Sequence, residues 1–157
     1  MADAGSRPPV VVHCVAVAPT DAERDAYNAL CAYTLTRADA AFIHQHVVDA
    51  WAAQHADEPS KPIGVTFALV GLYLLVERGW TGKQVQKAHM RLARQKHTWP
   101  AFALPADCGS LTPVDVMRAA DGPERDRAIH DWCRSVWTAF AMNRDIVVEL
   151  LTHQGIR

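Results

Sequence analysis

The middle of this 157-residue chain holds an apolar run, Gly64 to Arg78, that leaves few folds open. When the run is wound into a helix, apolar side chains cover every side of it, so no face is suited to water. The stretch from Val65 to Val76 is also too short to cross a bilayer, which takes about 20 apolar residues. The run is therefore predicted to be a central helix that other helices surround.

The segments on either side of this run carry helical patterns, which proline and glycine separate. Helices are predicted over about 20–34, 38–56, 64–78, 81–97 and 124–153, with a further short one opened by Thr112-Pro113. A long irregular connection, Thr98–Ser110, lies between them and is typical of a lid or a binding loop. The fold class is predicted as all-α, a single-domain helical bundle of about five helices over residues 19–157.

Residues 1–18 are predicted to form a disordered or extended N-terminal arm. Its β-branched part, Val10–Val17, could make one short strand, which would be stable only along the bundle or exchanged in a homodimer. A signal peptide is not expected, because the apolar stretch is short, His13 interrupts it and Asp3 precedes it. The four cysteines form no Cys-x-x-Cys pair, so neither a zinc ribbon nor a thioredoxin-like motif is present. They are expected to be reduced thiols in a cytoplasmic protein.

Charge and motifs argue against several classes of function. The 16 basic and 17 acidic residues give a net charge of -1, so neither nucleic acid nor a membrane is an expected partner. The glycine-rich nucleotide-binding motifs are missing, so no nucleotide cofactor is expected. A basic stripe on the fourth predicted helix is interpreted as a solvated face, with an acidic partner as the alternative. The stripe consists of Lys83, Lys87, Arg91 and Arg94.

Polar residues are unusually frequent in the alanine-rich stretch from His44 to His55. His46 and Asp49 are spaced i, i+3 and would lie on one helix face, about 5–6 Å apart. Such a pair can supply two ligands to one metal ion, as Glu-x-x-His pairs do in carboxylate-bridged bundles. His44 and His55 point the same way but lie about 16 Å apart along the axis, so they cannot share an ion.

Two other helices offer histidines for the same site. His89 falls on the apolar stripe of the fourth helix, and His130 lies beside the apolar stripe of the last one. The predicted metal ligands are His46, Asp49, His89 and His130, with His44 as the alternative ligand. Three further residues are expected to orient these ligands through hydrogen bonds: Gln45, Gln54 and His55. Mixed nitrogen and oxygen ligation suits zinc, iron, copper or nickel, and the residues do not distinguish among them.

Two hypotheses of function remain open at this point. The first is a metal-dependent enzyme acting on a small molecule, with the connection 98–110 as its lid. The alternative is a non-enzymatic protein that binds a ligand or a partner. In that case Asp49, Gln54 and His55 form a structural hydrogen-bond network, and the loop Trp99–Leu104 covers an apolar cavity. No reaction class is indicated.

The polar stretch resembles a motif of an uncharacterised bacterial family, a domain of unknown function. The motif reads His-x-x-x-Val-Asp-Ala-(Tyr or Trp)-Ala-x-Gln-His, and is matched by His44, Val48, Asp49, Ala50, Trp51, Ala52, Gln54 and His55. The likeness continues through Gly71-Leu72, Glu77, Val85, Trp99-Pro100 and Val114-Asp115-Val116, and so covers about Tyr27 to Trp137.

The resemblance implies one domain and implies no activity. It gives weight to His44, Asp49, Gln54 and His55 as site residues. Some relatives carry an apolar residue in place of His46, which favours His44 or Asp49 as the ligand. Some also begin with a cysteine-rich, zinc-ribbon-like segment that this chain lacks.

Overall fold

The computed structural model describes residues 18–57, 59–95 and 98–157. Its described residues form seven α-helices and no β-strand, so the all-α class is confirmed and the expectation of about five helices is wrong. The helices are α1 (Asp21–Thr36), α2 (His44–Gln54), α3 (Pro62–Arg78), α4 (Gly82–Ala93), α5 (Pro113–Met117), α6 (Pro123–Ala139) and α7 (Arg144–His153). The predicted strand within Val10–Val17 lies outside the described residues.

The apolar run forms the centre of the fold, as predicted. Helix α3 is buried along most of its length and packs against α2, α4, α6 and α7. Pro62 occupies its first turn, and Gly79 ends it with a φ of 67°, a left-handed conformation that glycine adopts without strain. Helix α2 lies beside α3 and also contacts α1, α4 and α6. Among the described residues, no helix has the length and hydropathy needed to span a membrane.

Helix α2 starts at His44, although the sequence pattern predicted a helix from residue 38. The preceding loop contains two non-glycine residues with positive φ, Ala38 at 49° and Phe42 at 56°. The Asp39 carboxylate accepts a hydrogen bond from the backbone N–H of Ile43 at 3.0 Å. This local bond competes with helix formation and gives the loop a turn instead.

The long final helix predicted over 124–153 is in fact two helices, α6 and α7. A 3₁₀ turn, Ala141–Asn143, separates them. The buried Asn143 side chain accepts from the backbone N–H of Ala103 and donates to its carbonyl, both at 2.8 Å. The turn therefore binds the irregular connection to the end of α6. The fourth helix is also shorter than predicted, because it ends at Ala93 rather than near residue 97.

The irregular connection between α4 and α5 is held against the bundle along its described part. The Trp99 ring makes an edge contact with Phe67 of α3 at 5.6 Å between centroids. Nearer α5, Ser135 of α6 accepts hydrogen bonds from the N–H groups of Ser110 at 2.7 Å and Leu111 at 3.1 Å. A ring contact thus holds the connection against α3, and hydrogen bonds hold it against α6.

Candidate functional site

The two buried polar residues of α2 face different neighbouring helices. His46 and Asp49 are both 3% exposed and are the two buried polar residues of this helix. His46 faces α6, while Asp49 lies against α3. Two side chains that share a face of one helix are therefore divided between two partners.

Asp49 fits into a space that Gly71 leaves open on α3. A β-carbon built at Gly71 would lie 2.5 Å from the Asp49 Cγ and closer still to Oδ2. Asp49 Oδ1 accepts a hydrogen bond from Gln45 Nε2 at 3.0 Å, whereas Oδ2 finds no partner among the described residues. Burial raises the pKa of Asp49 well above its ordinary value, since removal from water disfavours the carboxylate.

His46 and His130 form a pair of imidazoles across the contact between α2 and α6. Their ring centroids are 5.8 Å apart, with 66° between the ring planes. His46 Nδ1 is buried and finds no hydrogen-bond partner in the described part of the chain, while His130 is exposed. Burial, and then the neighbouring His130, lowers the pKa of His46 to about 4. Partial burial of the His130 ring lowers its pKa as well, since loss of water around the ring disfavours the charged form.

His89 is buried and makes a hydrogen bond with the backbone of α3. Its Nε2 lies 2.9 Å from the carbonyl oxygen of Phe67, so the protonated Nε2 donates to that oxygen. The two rings also stack, with centroids 4.8 Å apart. Burial lowers the pKa of His89 to about 4, which keeps the imidazole neutral.

His44 and His55, at the two ends of α2, make separate contacts. His44 Nδ1 lies 2.9 Å from the Thr34 hydroxyl of α1. His55 Nδ1 lies 3.0 Å from the carbonyl oxygen of Trp51, and its ring packs on the Trp51 indole at 3.9 Å. That indole in turn stacks on Tyr27 at 4.3 Å, so α1 and α2 share a short aromatic stack.

Gln54 connects α2 with α6 and with the irregular connection. Its Oε1 accepts a hydrogen bond from the indole N–H of the buried Trp132 at 2.9 Å. Its Nε2 donates to the carbonyl oxygen of Leu111 at 2.8 Å and, at 3.4 Å, to that of Cys108. The side chain therefore satisfies polar groups of two other segments, and these bonds lead away from Asp49 and His55.

Of the four predicted metal ligands, the fold brings His46 and His130 together. Asp49 is directed at α3, and His89 is held by Phe67. Across residues 18–57, 59–95 and 98–157, no three side chains of His, Cys, Asp or Glu come together so as to hold a metal ion. The pair is therefore the part of the predicted site that the fold assembles.

Two residues near Asp49 were not predicted as site residues. The Cys133 thiol on α6 donates to the carbonyl oxygen of His46 at 3.5 Å, and its burial, followed by the Asp49 charge, raises its pKa. Gly71 provides the space for the carboxyl group. A glycine inside an apolar helix costs about 1 kcal/mol relative to alanine, which is a signal of close approach. Cys133 offered no such signal, because its neighbours depend on how α6 packs.

The chain matches the model of a family of unknown function, DUF5946, over residues 10–141. It belongs to this family. The DUF5946 assignment confirms the resemblance to an uncharacterised family and assigns no activity. No curated protein and no solved structure significantly matches the chain. The range matched to DUF5946 contains α1 to α6 in full, and so includes both His46 and His130.

Proposed function

We propose that this chain binds a divalent transition metal through His46 and His130 and uses it to act on a small molecule. The observation that carries the proposal is the pair itself, two imidazoles from separate helices with centroids 5.8 Å apart. Two imidazoles on one zinc ion, each at about 2 Å from the metal, have centroids roughly 5–6 Å apart. The separation of the two rings therefore fits one shared ion.

The unpaired nitrogen of His46 supports the proposal. A buried polar atom without a partner costs about 1–3 kcal/mol, and coordination to a metal would remove that cost. The ring is also neutral at pH 7, because burial lowers its pKa to about 4. A neutral imidazole needs to lose no proton before it binds a metal.

Two nearby carboxylates act on the pair without being free to coordinate an ion, and Asp126 is also paired with Arg37. The charge of Asp39 acts on His46, and that of Asp126 acts on His130, each raising the pKa of its histidine against the larger effect of burial. Asp39 is occupied by backbone N–H groups, and Asp126 accepts from the Tyr33 hydroxyl at 3.0 Å. Water or a small molecule would therefore complete the coordination from the exposed side of His130. Catalytic metal sites keep such open positions.

Elemental analysis of untagged protein reconstituted with zinc, copper or nickel tests metal binding. We expect near-stoichiometric metal in the wild type, and its loss in His130→Ala and His46→Leu. His153→Ala is the matched control, because His153 is another exposed histidine, at the end of α7. Since His130 is exposed, its removal should leave the far-UV circular dichroism unchanged. Absence of metal in the wild type, or its retention in His130→Ala, overturns the proposal.

A further variant distinguishes metal binding by the histidine pair from binding by the four-ligand site predicted from the sequence. Asp49→Asn should keep the metal if His46 and His130 bind it, and should lose it if Asp49 is a ligand.

The catalytic part of the proposal is tested with a panel of small esters, amides and phosphate esters. Turnover by metal-loaded wild type, absent in His130→Ala, supports it, and equal turnover by both proteins refutes it.

The second candidate function is the non-enzymatic binding protein. The observation that favours it is that Gln54, His89 and one oxygen of Asp49 are engaged in internal hydrogen bonds. A wild-type protein that takes up no metal would leave this function as the better supported one.

A further inference from the structure

A second feature, separate from the histidine pair, is a cleft between α4 and the residues that follow α7. The cleft has a volume of about 380 Å³. Its apolar lining comes from Trp80, Ala88 and Ile156, and its cationic lining from Lys87, Arg91 and Arg157. A neighbouring depression of about 430 Å³ shares Lys87 and Arg91 and adds Met90, which is 55% exposed. Apolar and cationic groups thus meet in one concave surface.

The cations that α4 contributes to the cleft have no acidic residue within their own helix. Helix α4 contains no Asp or Glu, although Lys83, Lys87 and Arg91 follow one another at i, i+4 spacing. Like charges at this spacing destabilise a helix. Within the part of the chain that the structure describes, Lys87, Arg91 and Arg157 make no ion pair.

The backbone at the edge of the cleft lets one of these cations approach closely. Gly155 has a φ of 63°, and a β-carbon built there would lie 3.2 Å from Arg91 Nη2. The guanidinium group therefore lies against the Gly155 backbone, beside the buried Ile156. An arginine in this position can offer its N–H groups to an oxyanion in the cleft.

We propose that the cleft binds a small amphiphilic anion, with a carboxylate or a phosphate monoester attached to an apolar body. The volume lies within the range of small-molecule sites, roughly 300–1,000 Å³. The cations would bind the charged group, while Trp80 and Ile156 would contact the apolar body. Nucleic acid fits less well, because it needs a broad basic surface and the whole chain has a net charge of -1.

The full-length protein can be tested with the fluorescent anion 8-anilinonaphthalene-1-sulfonate as the reporter. Octanoate and octyl phosphate, which share one apolar body, should both displace it, and their relative strength distinguishes carboxylate from phosphate. We expect Arg91→Gln and Lys87→Gln each to weaken binding about tenfold, in line with the value of a hydrogen bond to a charged group. Lys83→Gln is the matched control, because it removes a charge from the same helix outside the cleft.

Three results would overturn the proposal. The first is equal reporter binding by Lys83→Gln, Lys87→Gln and Arg91→Gln, which means general attraction to a basic surface. The second is inorganic phosphate binding as tightly as octyl phosphate, which means that the apolar lining is not used. The third is tight binding of polyglutamate with no binding of octanoate or octyl phosphate, which identifies an acidic polypeptide as the partner. Because no residue of the cleft belongs to the histidine pair, loss of metal binding in His130→Ala leaves this test unaffected.

Discussion

The contact between Gly71 and Asp49 predicts a large difference between two glycine-to-alanine substitutions in the same helix. Gly64→Ala adds a β-carbon that meets no atom within 4 Å. It should raise the free energy of unfolding by up to about 1 kcal/mol, because alanine favours a helix and restricts the unfolded chain. Gly64 lies near the exposed start of α3, so it reports helix propensity alone.

Gly71→Ala should instead lower the free energy of unfolding. Its β-carbon would lie 2.5 Å from the Asp49 Cγ and 3.2 Å from the Asp49 Cβ, and both residues are buried. Overpacking of this kind costs about 1–3 kcal/mol, and displacement of Asp49 would also break its bond from Gln45. After the gain in helix propensity, we expect a net loss of about 1–2 kcal/mol. Gly64→Ala and Gly71→Ala should therefore differ by roughly 2–3 kcal/mol.

Urea denaturation, followed by far-UV circular dichroism and tryptophan fluorescence, measures both variants. A double-mutant cycle then tests the cause. Asp49→Ala removes the atoms that Gly71→Ala meets most closely, so the double variant should be at least about 1 kcal/mol more stable than additivity predicts. The reasoning is refuted if Gly71→Ala is as stable as Gly64→Ala. It is refuted as well if the effects of Gly71→Ala and Asp49→Ala add to within about 0.5 kcal/mol.

Two other expectations concern stability. Gln54→Leu leaves the indole N–H of Trp132 and the carbonyl of Leu111 without their bonds, so urea denaturation should show a loss of about 2–3 kcal/mol. Unchanged stability would mean that these bonds contribute nothing. The pKa of His89 is about 4 in the folded protein, below its ordinary value of 6.5, so the unfolded chain takes up the proton first as the pH falls. The stability that His89 contributes is thus complete above pH 6.5 and is lost towards pH 4, by about 2 kcal/mol at pH 5. His89→Leu should show a correspondingly smaller loss between pH 7 and pH 5, and a pH dependence equal to that of the wild type would contradict this assignment.

Local signals in the sequence were sufficient to predict a helix and its ends where these depend on residues nearby in the chain. The apolar run predicted α3 at the centre, because a helix without a polar face must be covered on all sides. Gly79 follows its last residue, Thr81 caps the start of α4, and Thr112-Pro113 opens α5 as predicted. Each of these signals acts within a few residues, through a cap or a fixed backbone angle.

Other features required contacts between distant parts of the chain. The loop before α2 includes Phe42 at positive φ, and it is held by α4, where the N–H of Lys83 donates to the Ala41 carbonyl at 2.9 Å. Gly82 permits the approach, since a β-carbon there would lie 2.8 Å from the carbonyl carbon of Phe42. The turn between α6 and α7 likewise depends on Asn143, whose partner is 40 residues away. Helical propensity alone favours a continuous helix at both places.

The candidate site depends both on residue spacing within one helix and on contacts between helices. The i, i+3 spacing of His46 and Asp49 indicated one helix face from the sequence alone. A face of that width touches two helices here, so His46 meets His130 of α6 while Asp49 fills the space beside Gly71 of α3. Which histidine meets which depends on the register between helices, and that register is set by how the side chains of the core pack. The sequence by itself thus determined which polar residues of α2 share a face, and the packing of α2 against α3 and α6 decided which neighbour each of them meets.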